Sequence, residues 1–426
     1  METGLLERRY RLLGKGAPLF YDTPLHIVRG EGVWLYDADG KRYLDAYNNV
    51  PVVGHCHPRV VAALASQAAQ LNVHTRYLHE NVLDYGERLT ATFDASLDMV
   101  FFTCTGSEAN DLALRIARQR TGAKGIVCSD CTYHGNSTAV DELSTMFRDG
   151  ATGSPNVRSV PFPQTFRPLH GLEGEALCDA YVAEVARAIA ALQEDGTGFA
   201  GMLVCPIFAN EGLPTIPEGY MRKVAQLVRD AGGLLIFDEV QSGFGRTGHM
   251  WGQQMHGVVP DIVTLGKPMG NGHPIGGVVT RAEIGNGFRD STMYFNTFGG
   301  NPVSCAAGLA VLDTIRDEDL VNGARRVGEY VLDGLRALQK RHASIGDVRG
   351  SGLFFAVELV EDRAGRVPAP ALAGRLVNHM KENGVLISRL GPYNNVLKIR
   401  PPLPFSTADA DLLLTRLCSS LGALEG

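Results

Sequence analysis

Residues 231–277, AGGLLIFDEVQSGFGRTGHMWGQQMHGVVPDIVTLGKPMGNGHPIGG, constrain the fold more than any other stretch of the chain. Leu234–Phe237 is an unbroken apolar run opened by Gly232 and Gly233, and Ile262–Leu265 is a second, largely apolar run. Short runs of this kind predict strands covered on both faces. One charged residue stands at the carboxyl end of each, Asp238 and Lys267. Burying either without a partner is costly. In open α/β sheets ligands bind outside the carboxyl ends of the strands, so both side chains are expected to face a ligand. The plainer alternative is a strand-end acid and a surface lysine in an ordinary salt bridge.

The rest of the chain supplies the sheet. Met99–Phe102, Gly125–Cys128 and Gly201–Ile207 read as further buried strands, separated by amphipathic helices over 111–120, 176–193 and 219–233. Alternation of strand and helix from Met99 to Leu265 predicts an α/β fold with a mostly parallel, doubly covered sheet. Residues 1–20 read as a helix, and 26–45 as a hairpin or small sheet turning at Asp39-Gly40. Pro58 opens another helix. Residues 151–175 are loop-rich, with Pro155, Pro161, Pro163 and Pro168. Helices over 303–315, 322–341 and 372–383, with apolar runs in 345–360 and 384–406, predict a smaller α+β domain. The division expected is 1–65 as an amino-terminal segment joining the small domain, 66–305 as the large domain and 306–426 as the small domain.

The strand ending at Phe102 runs into Thr103-Cys104-Thr105-Gly106-Ser107-Glu108-Ala109-Asn110 and then a helix. Gly106 permits close backbone approach, Ser107 offers a hydroxyl, and a helix start presents free N–H groups with the positive end of the dipole. This is a phosphate seat. Tyr133 lies in the loop after Gly125–Cys128, at the same end of the sheet, where an aromatic ring can stack on a flat ligand.

A formal charge of −6 with 20% charged residues gives no reason to expect nucleic acid or a membrane as partner. The first residues carry charges where a signal peptide has its apolar core, so a cytoplasmic protein is expected. Eight cysteines are scattered, mostly in apolar runs, and read as buried free thiols. Cys128 and Cys131 have half-zinc spacing with no second pair to answer them, and His55 with His57 lacks further ligands nearby, so no metal is expected.

Pyridoxal phosphate uses a lysine and a carboxylate together: the lysine forms a Schiff base with its aldehyde, and the carboxylate keeps the pyridine nitrogen protonated. The segment holding Asp238 and Lys267 resembles the cofactor segment of class III aminotransferases, of fold type I, and the resemblance extends from about Pro24 to Leu421. It implies that Lys267 carries the cofactor, that Asp238 pairs with the ring nitrogen, and that Tyr133, in the aromatic-His-Gly position, stacks on the ring. It also assigns Gly106, Ser107, His134 and Gln241 to cofactor binding. Thr297 occupies the position from which a threonine reaches the phosphate of the neighbouring subunit, which implies a homodimer with shared active sites.

Members that use glutamate or similar acceptors hold the α-carboxylate with an arginine three residues before the first proline of the segment seen here as LKIRPPL. Lys398 stands there, with Arg400 two residues on, and lysine lacks the planar fork that matches a carboxylate. A glutamate in a Gly-Glu-Gly-Gly loop pairs with that arginine; here the loop is Phe208-Ala209-Asn210-Glu211-Gly212, which puts Asn210 at the position. Both halves of the carboxylate switch are therefore expected to be missing, which suits a primary amine without an α-carboxylate.

The chain is most similar to the ethanolamine-phosphate phospho-lyase branch, through YNNVPVVGHCHP, TRYLHEN, GKPMGNGHP, YFNTFGGNPVSCA and NVLKIRPP. That resemblance implies β-elimination of phosphate from O-phosphoethanolamine. Arg76, with Tyr21, Asn48 and Asn49 behind it, becomes the candidate to bind the substrate phosphate. ω-Transaminases of amines or ω-amino acids share these motifs and are the alternative.

Overall fold

The computed structural model describes residues 3–148 and 152–425. The first two residues of the expected amino-terminal helix, Ala151 of the loop-rich stretch and the final Gly426 lie outside them. The helix itself spans Thr3–Leu13.

Among the described residues the largest sheet has seven strands in the spatial order Met99–Thr103, Gly276–Thr280, Ile262–Leu265, Leu234–Asp238, Phe199–Val204, Gly125–Ser129 and Val157–Val160. From Ile262–Leu265 to Val157–Val160 all neighbours are parallel. Gly276–Thr280 runs against both of its neighbours. The period of two is visible in the core: Leu235 and Phe237 pack in one cluster with Tyr181, Val185, Val224 and Val228, while Ile236 packs in another with Leu112, Ala113 and Ile116. Helices Gly174–Glu194 and Tyr220–Asp230 thus cover one face, and helix Gly106–Thr121 the other. Each fully buried Leu, Ile or Phe adds about 1.5–3 kcal/mol, so the sheet's position is fixed from both sides.

One strand departs from the sequence reading and another had no counterpart in it. Val157–Val160 lies in the proline-rich stretch read as loop, and forms an edge strand on Gly125–Ser129. Gly276–Thr280, to which the sequence reading assigned no element, opens on two glycines and pairs on both sides. A side chain at Gly276 would stand 2.5 Å from the Thr105 carbonyl oxygen, so the phosphate-seat loop packs where only glycine fits.

A second, antiparallel sheet is built from Ile345–Ser351, Phe354–Asp362, Val396–Ile399 and Ser388–Leu390, with Val367–Pro368 at its side. A third holds Ile27–Glu31, Trp34–Asp37 and Arg42–Asp45, joined in parallel by Val385–Leu386. The chain's beginning is therefore hydrogen-bonded to its carboxyl-terminal part. Helices Pro58–Ala68 and Pro302–Asp317 run through both of the domain boundaries expected from sequence, at 65 and 305.

The eight thiols are free; Cys128, Cys178, Cys205 and Cys305 are buried, Cys104, Cys131 and Cys418 half-buried, and Cys56 exposed. His55 contacts Asp45 at 2.6 Å and His57 contacts Glu318 at 3.0 Å, each as one half of a pair.

Candidate active site

Asp238 ends its strand opposite Thr264 of the parallel neighbour, and Lys267 lies two residues beyond that neighbour's last residue. The two side chains line one cavity together with Gly106, Ser107, Tyr133 and Gln241. Burial would raise the Asp238 carboxyl, but the hydrogen bond and charge of His134, the charge of Lys267 and the Val240 amide hold it below the usual carboxylate range. His134 Nδ1 donates to its Oδ2 across 2.7 Å, and the Val240 N–H donates to Oδ1 across 3.0 Å. An anion fixed in this way is an acceptor for a protonated ring nitrogen. Burial, and then the charge of Arg400, push the Lys267 amine down, against the opposing pull of Asp238 and Cys205. A lysine so placed spends more of its time as the free base a nucleophile requires.

The phosphate seat is the start of helix Gly106–Thr121. Thr105 caps it, its Oγ1 accepting from the Glu108 N–H at 3.1 Å, and the amides of Gly106 and Ser107 stand in the first turn, where a helix offers no carbonyl partner. Gly135, at φ +140°, packs against this turn so closely that a Cβ would lie 2.5 Å from Ser107 Oγ. The Asn136 N–H donates to the same oxygen at 3.2 Å, leaving the hydroxyl proton free to donate elsewhere. Tyr133 is half-buried on the rim, edge-on to Phe147 at 5.6 Å between ring centres. An amine, an anionic acceptor, an uncovered helix start and an aromatic ring around one cavity fit pyridoxal phosphate.

His134 is set back from this picture. It is buried, its ring held between Asp238 and Thr132 Oγ1 at 2.9 Å, so its direct contact is with Asp238.

The substrate side differs from the sequence expectation. Lys398 and Asn210 do meet: Lys398 Nζ lies 3.3 Å from Asn210 Oδ1, which also accepts from Gln241 Nε2 at 3.0 Å. The pairing geometry survives while the acid is gone. Arg400 is buried beside them; its Nε donates to the Tyr47 carbonyl at 2.8 Å, its Nη1 donates to Gln241 Oε1, and its guanidinium lies 4.7 Å from the centre of the Tyr47 ring. None of Lys267, Lys398 and Arg400 has a carboxylate within ion-pair distance among the described residues. Burial, then Arg400 and Lys267, push the Lys398 amine well below its ordinary range. Sequence reasoning noted Arg400 without giving it a role. In an extended segment residues two apart share a face, and that period marks Arg400 beside Lys398.

Five other expected residues stand away from this cavity. Tyr21 donates to the Ile387 carbonyl at 3.2 Å. The Asn48 side chain is turned onto Asp45, and Asn49 is buried with its Nδ2 unpartnered. Arg76 is exposed, its guanidinium 3.8 Å from the centre of the Phe295 ring, in a separate cavity with Phe295 and Asn296. Thr297 is exposed close by in sequence. One chain therefore does not bring Arg76 or Thr297 to its own Lys267.

The sheet and the lysine-acid pair define a pyridoxal-phosphate enzyme of fold type I. The aminotransferase class-III family model matches residues 19–421, and the chain belongs to that family. It is 41% identical over 423 residues, 97% of this chain and 86% of the relative, to a Drosophila melanogaster protein named alanine–glyoxylate aminotransferase 2-like. It is 40% identical over 419 residues, 94% of this chain and 90% of the relative, to ethanolamine-phosphate phospho-lyase homolog 1 of Caenorhabditis elegans. Among solved structures, a phospholyase from Arthrobacter in complex with phosphoethanolamine superposes with a TM-score of 0.95 at 50% identity, covering 98% of this chain and 99% of that one. The protein is a pyridoxal-phosphate-dependent enzyme, a lyase or an aminotransferase.

Proposed function

We propose that the protein is a phospho-lyase that eliminates phosphate from O-phosphoethanolamine, giving acetaldehyde, ammonia and inorganic phosphate. The observation that carries this reading is the cluster of Lys398 and Arg400 beside Lys267, basic groups with no carboxylate at ion-pair distance among the described residues. Buried charge is stable only when paired, so the pocket is completed by an anion that arrives with the substrate. The 50% identical phospholyase with phosphoethanolamine bound supports the same choice.

Bound pyridoxal phosphate supplies a conjugated electron sink next to the amine-bearing carbon. Lys267 Nζ takes the proton from that carbon, and Asp238 keeps the ring nitrogen protonated. With that sink in place, loss of the proton to Lys267 would let the C–O bond on the neighbouring carbon break, its electron pair leaving with phosphate, and uptake of water would give acetaldehyde and ammonia. Gly106 and Ser107 would hold the cofactor phosphate and Tyr133 would stack on its ring, while Gln241 fixes Arg400 and Asn210.

Arg76 and Thr297 belong in this reading to the neighbouring active site of a homodimer. Both are exposed among apolar side chains that a monomer leaves in water: Leu78 is 95% exposed, Met293 88% and Phe298 69%. Such a patch marks an interaction surface. Across it, Thr297 serves the partner's cofactor phosphate and Arg76 the partner's substrate phosphate. The substrate is a small amine in the cytoplasm, with no nucleic acid or membrane involved. Arg76→Ala should raise KM for phosphoethanolamine about tenfold or more, the weight of a charge-assisted hydrogen bond, with little change for an uncharged amine. Equal losses on both would remove Arg76 from the phosphate site.

The same cations could receive a keto acid's carboxylate, and relatives named as aminotransferases stand at comparable identity. ω-Transamination is the second reading, and an amino group moved from phosphoethanolamine to pyruvate without phosphate release would establish it.

A further inference from the structure

Asn110 sits one helical turn beyond Gly106, on the helix whose start forms the phosphate seat, and it is fully buried. Every atom of its amide is committed. Its Nδ2 donates to Asp238 Oδ2 at 3.0 Å and to the His134 carbonyl at 2.6 Å, while its Oδ1 accepts from Thr264 Oγ1 at 2.6 Å. The Thr264 hydroxyl therefore fixes which end of the amide faces Asp238. Thr264 is itself fully buried, on the strand that leads to Lys267 and directly opposite Asp238.

The consequence is a division of labour between the two oxygens of Asp238. Oδ2 is filled by Asn110 and His134, whereas Oδ1 accepts one N–H, from Val240. A carboxylate oxygen has two lone pairs. Oδ1 keeps one for a further donor.

We propose that Asn110, oriented by Thr264, is a positioning residue that holds Asp238 with Oδ1 turned to the cofactor's ring nitrogen. It thereby ties the ring end of the cofactor to the helix that seats the phosphate end. The proposal rests on the cofactor reading above. Neither residue touches the cofactor's reacting atoms, so the role is exerted through Asp238 alone.

Paired binding measurements on the full-length apo-protein test this, using pyridoxal phosphate and its 1-deaza analogue, in which a C–H replaces the ring nitrogen. The analogue keeps the phosphate, the aldehyde and the ring outline, and offers Asp238 nothing to bond. Asn110→Leu should raise the Kd for pyridoxal phosphate about tenfold, the weight of one hydrogen bond to a charged group, and change that of the analogue less than about twofold. Equal weakening of both ligands would mean that Asn110 merely supports the fold, and would overturn the proposal.

Thr264→Val and Thr264→Ser give a second route should Asn110→Leu fail to fold. Valine should weaken pyridoxal phosphate selectively, by about threefold, and serine should restore it. Valine without a selective effect, or serine no better than valine, overturns the orienting role. Unsubstituted protein that binds neither ligand overturns the cofactor reading and this proposal with it.

Discussion

The wall of the pocket behind Asp238 and the wall formed by Lys398 and Arg400 satisfy their polar groups in different ways. Behind Asp238, Thr264, Asn110, His134 and Thr132 form a continuous hydrogen-bonded chain around a carboxylate held below its usual range. Beside Lys267, Lys398 contacts a neutral amide and Arg400 contacts a carbonyl and a second amide, so these groups are solvated locally without a carboxylate at ion-pair distance. A wall that the chain completes from its own residues suits a cofactor that stays. A wall that lacks its counter-ion suits an anion that comes and goes, and it costs the free protein stability.

The largest break in this comparison comes from the lysine itself. Lys267→Ala should lower turnover by about 10⁴-fold or more while the protein still unfolds cooperatively, checked by steady-state rates and circular dichroism. Asp238→Asn should follow, with kcat lower by about 10²–10³-fold and a smaller change in KM, because it removes charge stabilisation of the ring nitrogen during reaction.

On the other wall, Lys398→Met should raise KM for phosphoethanolamine about tenfold to a hundredfold. The same variant should stabilise the cofactor-free protein by about 1–3 kcal/mol in denaturant titrations, since an unpaired buried cation is exchanged for an apolar chain of similar length. A variant that loses both affinity and stability would contradict the unpaired state of that wall. For the parent protein the sign of the linkage is set by the depressed amines. The unfolded chain binds protons that folded Lys398 and Lys267 do not. The apo-protein should therefore gain stability as pH rises from their lowered range towards about 10.4.

The smallest effect is a displacement. Arg400→Met removes a cation that pushes Lys267 down, so the rising limb of the kcat–pH profile should move to higher pH. A limb that stays in place, or moves to lower pH, would show that Arg400 does not act on Lys267.

How much of this was legible in the sequence depended on whether the signal was local. The strands ending in Asp238 and Lys267 were visible because both faces are buried and every residue in them is apolar or small. The helix start at Gly106 and Ser107 was visible because it comes directly after a strand. Val157–Val160 was not, because an edge strand is short and lies among prolines, and Gly276–Thr280 was not, because it opens on two glycines and one of its partners, Met99–Thr103, is distant in sequence. Asn110 and Arg400 escaped for the same reason. A buried asparagine in a helix and an arginine before a proline look ordinary until the fold brings Asp238 to one and Lys398 to the other. Lys398 and Asn210 show the converse: the positions were found from the resemblance, and the structure added that the two side chains are in contact although the acid is gone.

The central claim, that the uncompensated cations await a phosphate that departs, is tested most directly by supplying pyridoxal phosphate and phosphoethanolamine with no keto acid. Inorganic phosphate and acetaldehyde are then followed together. The account predicts release of both in equal amounts over many turnovers. Consumption of one equivalent of amine without phosphate, resuming only when pyruvate is added, would contradict it and establish a transaminase.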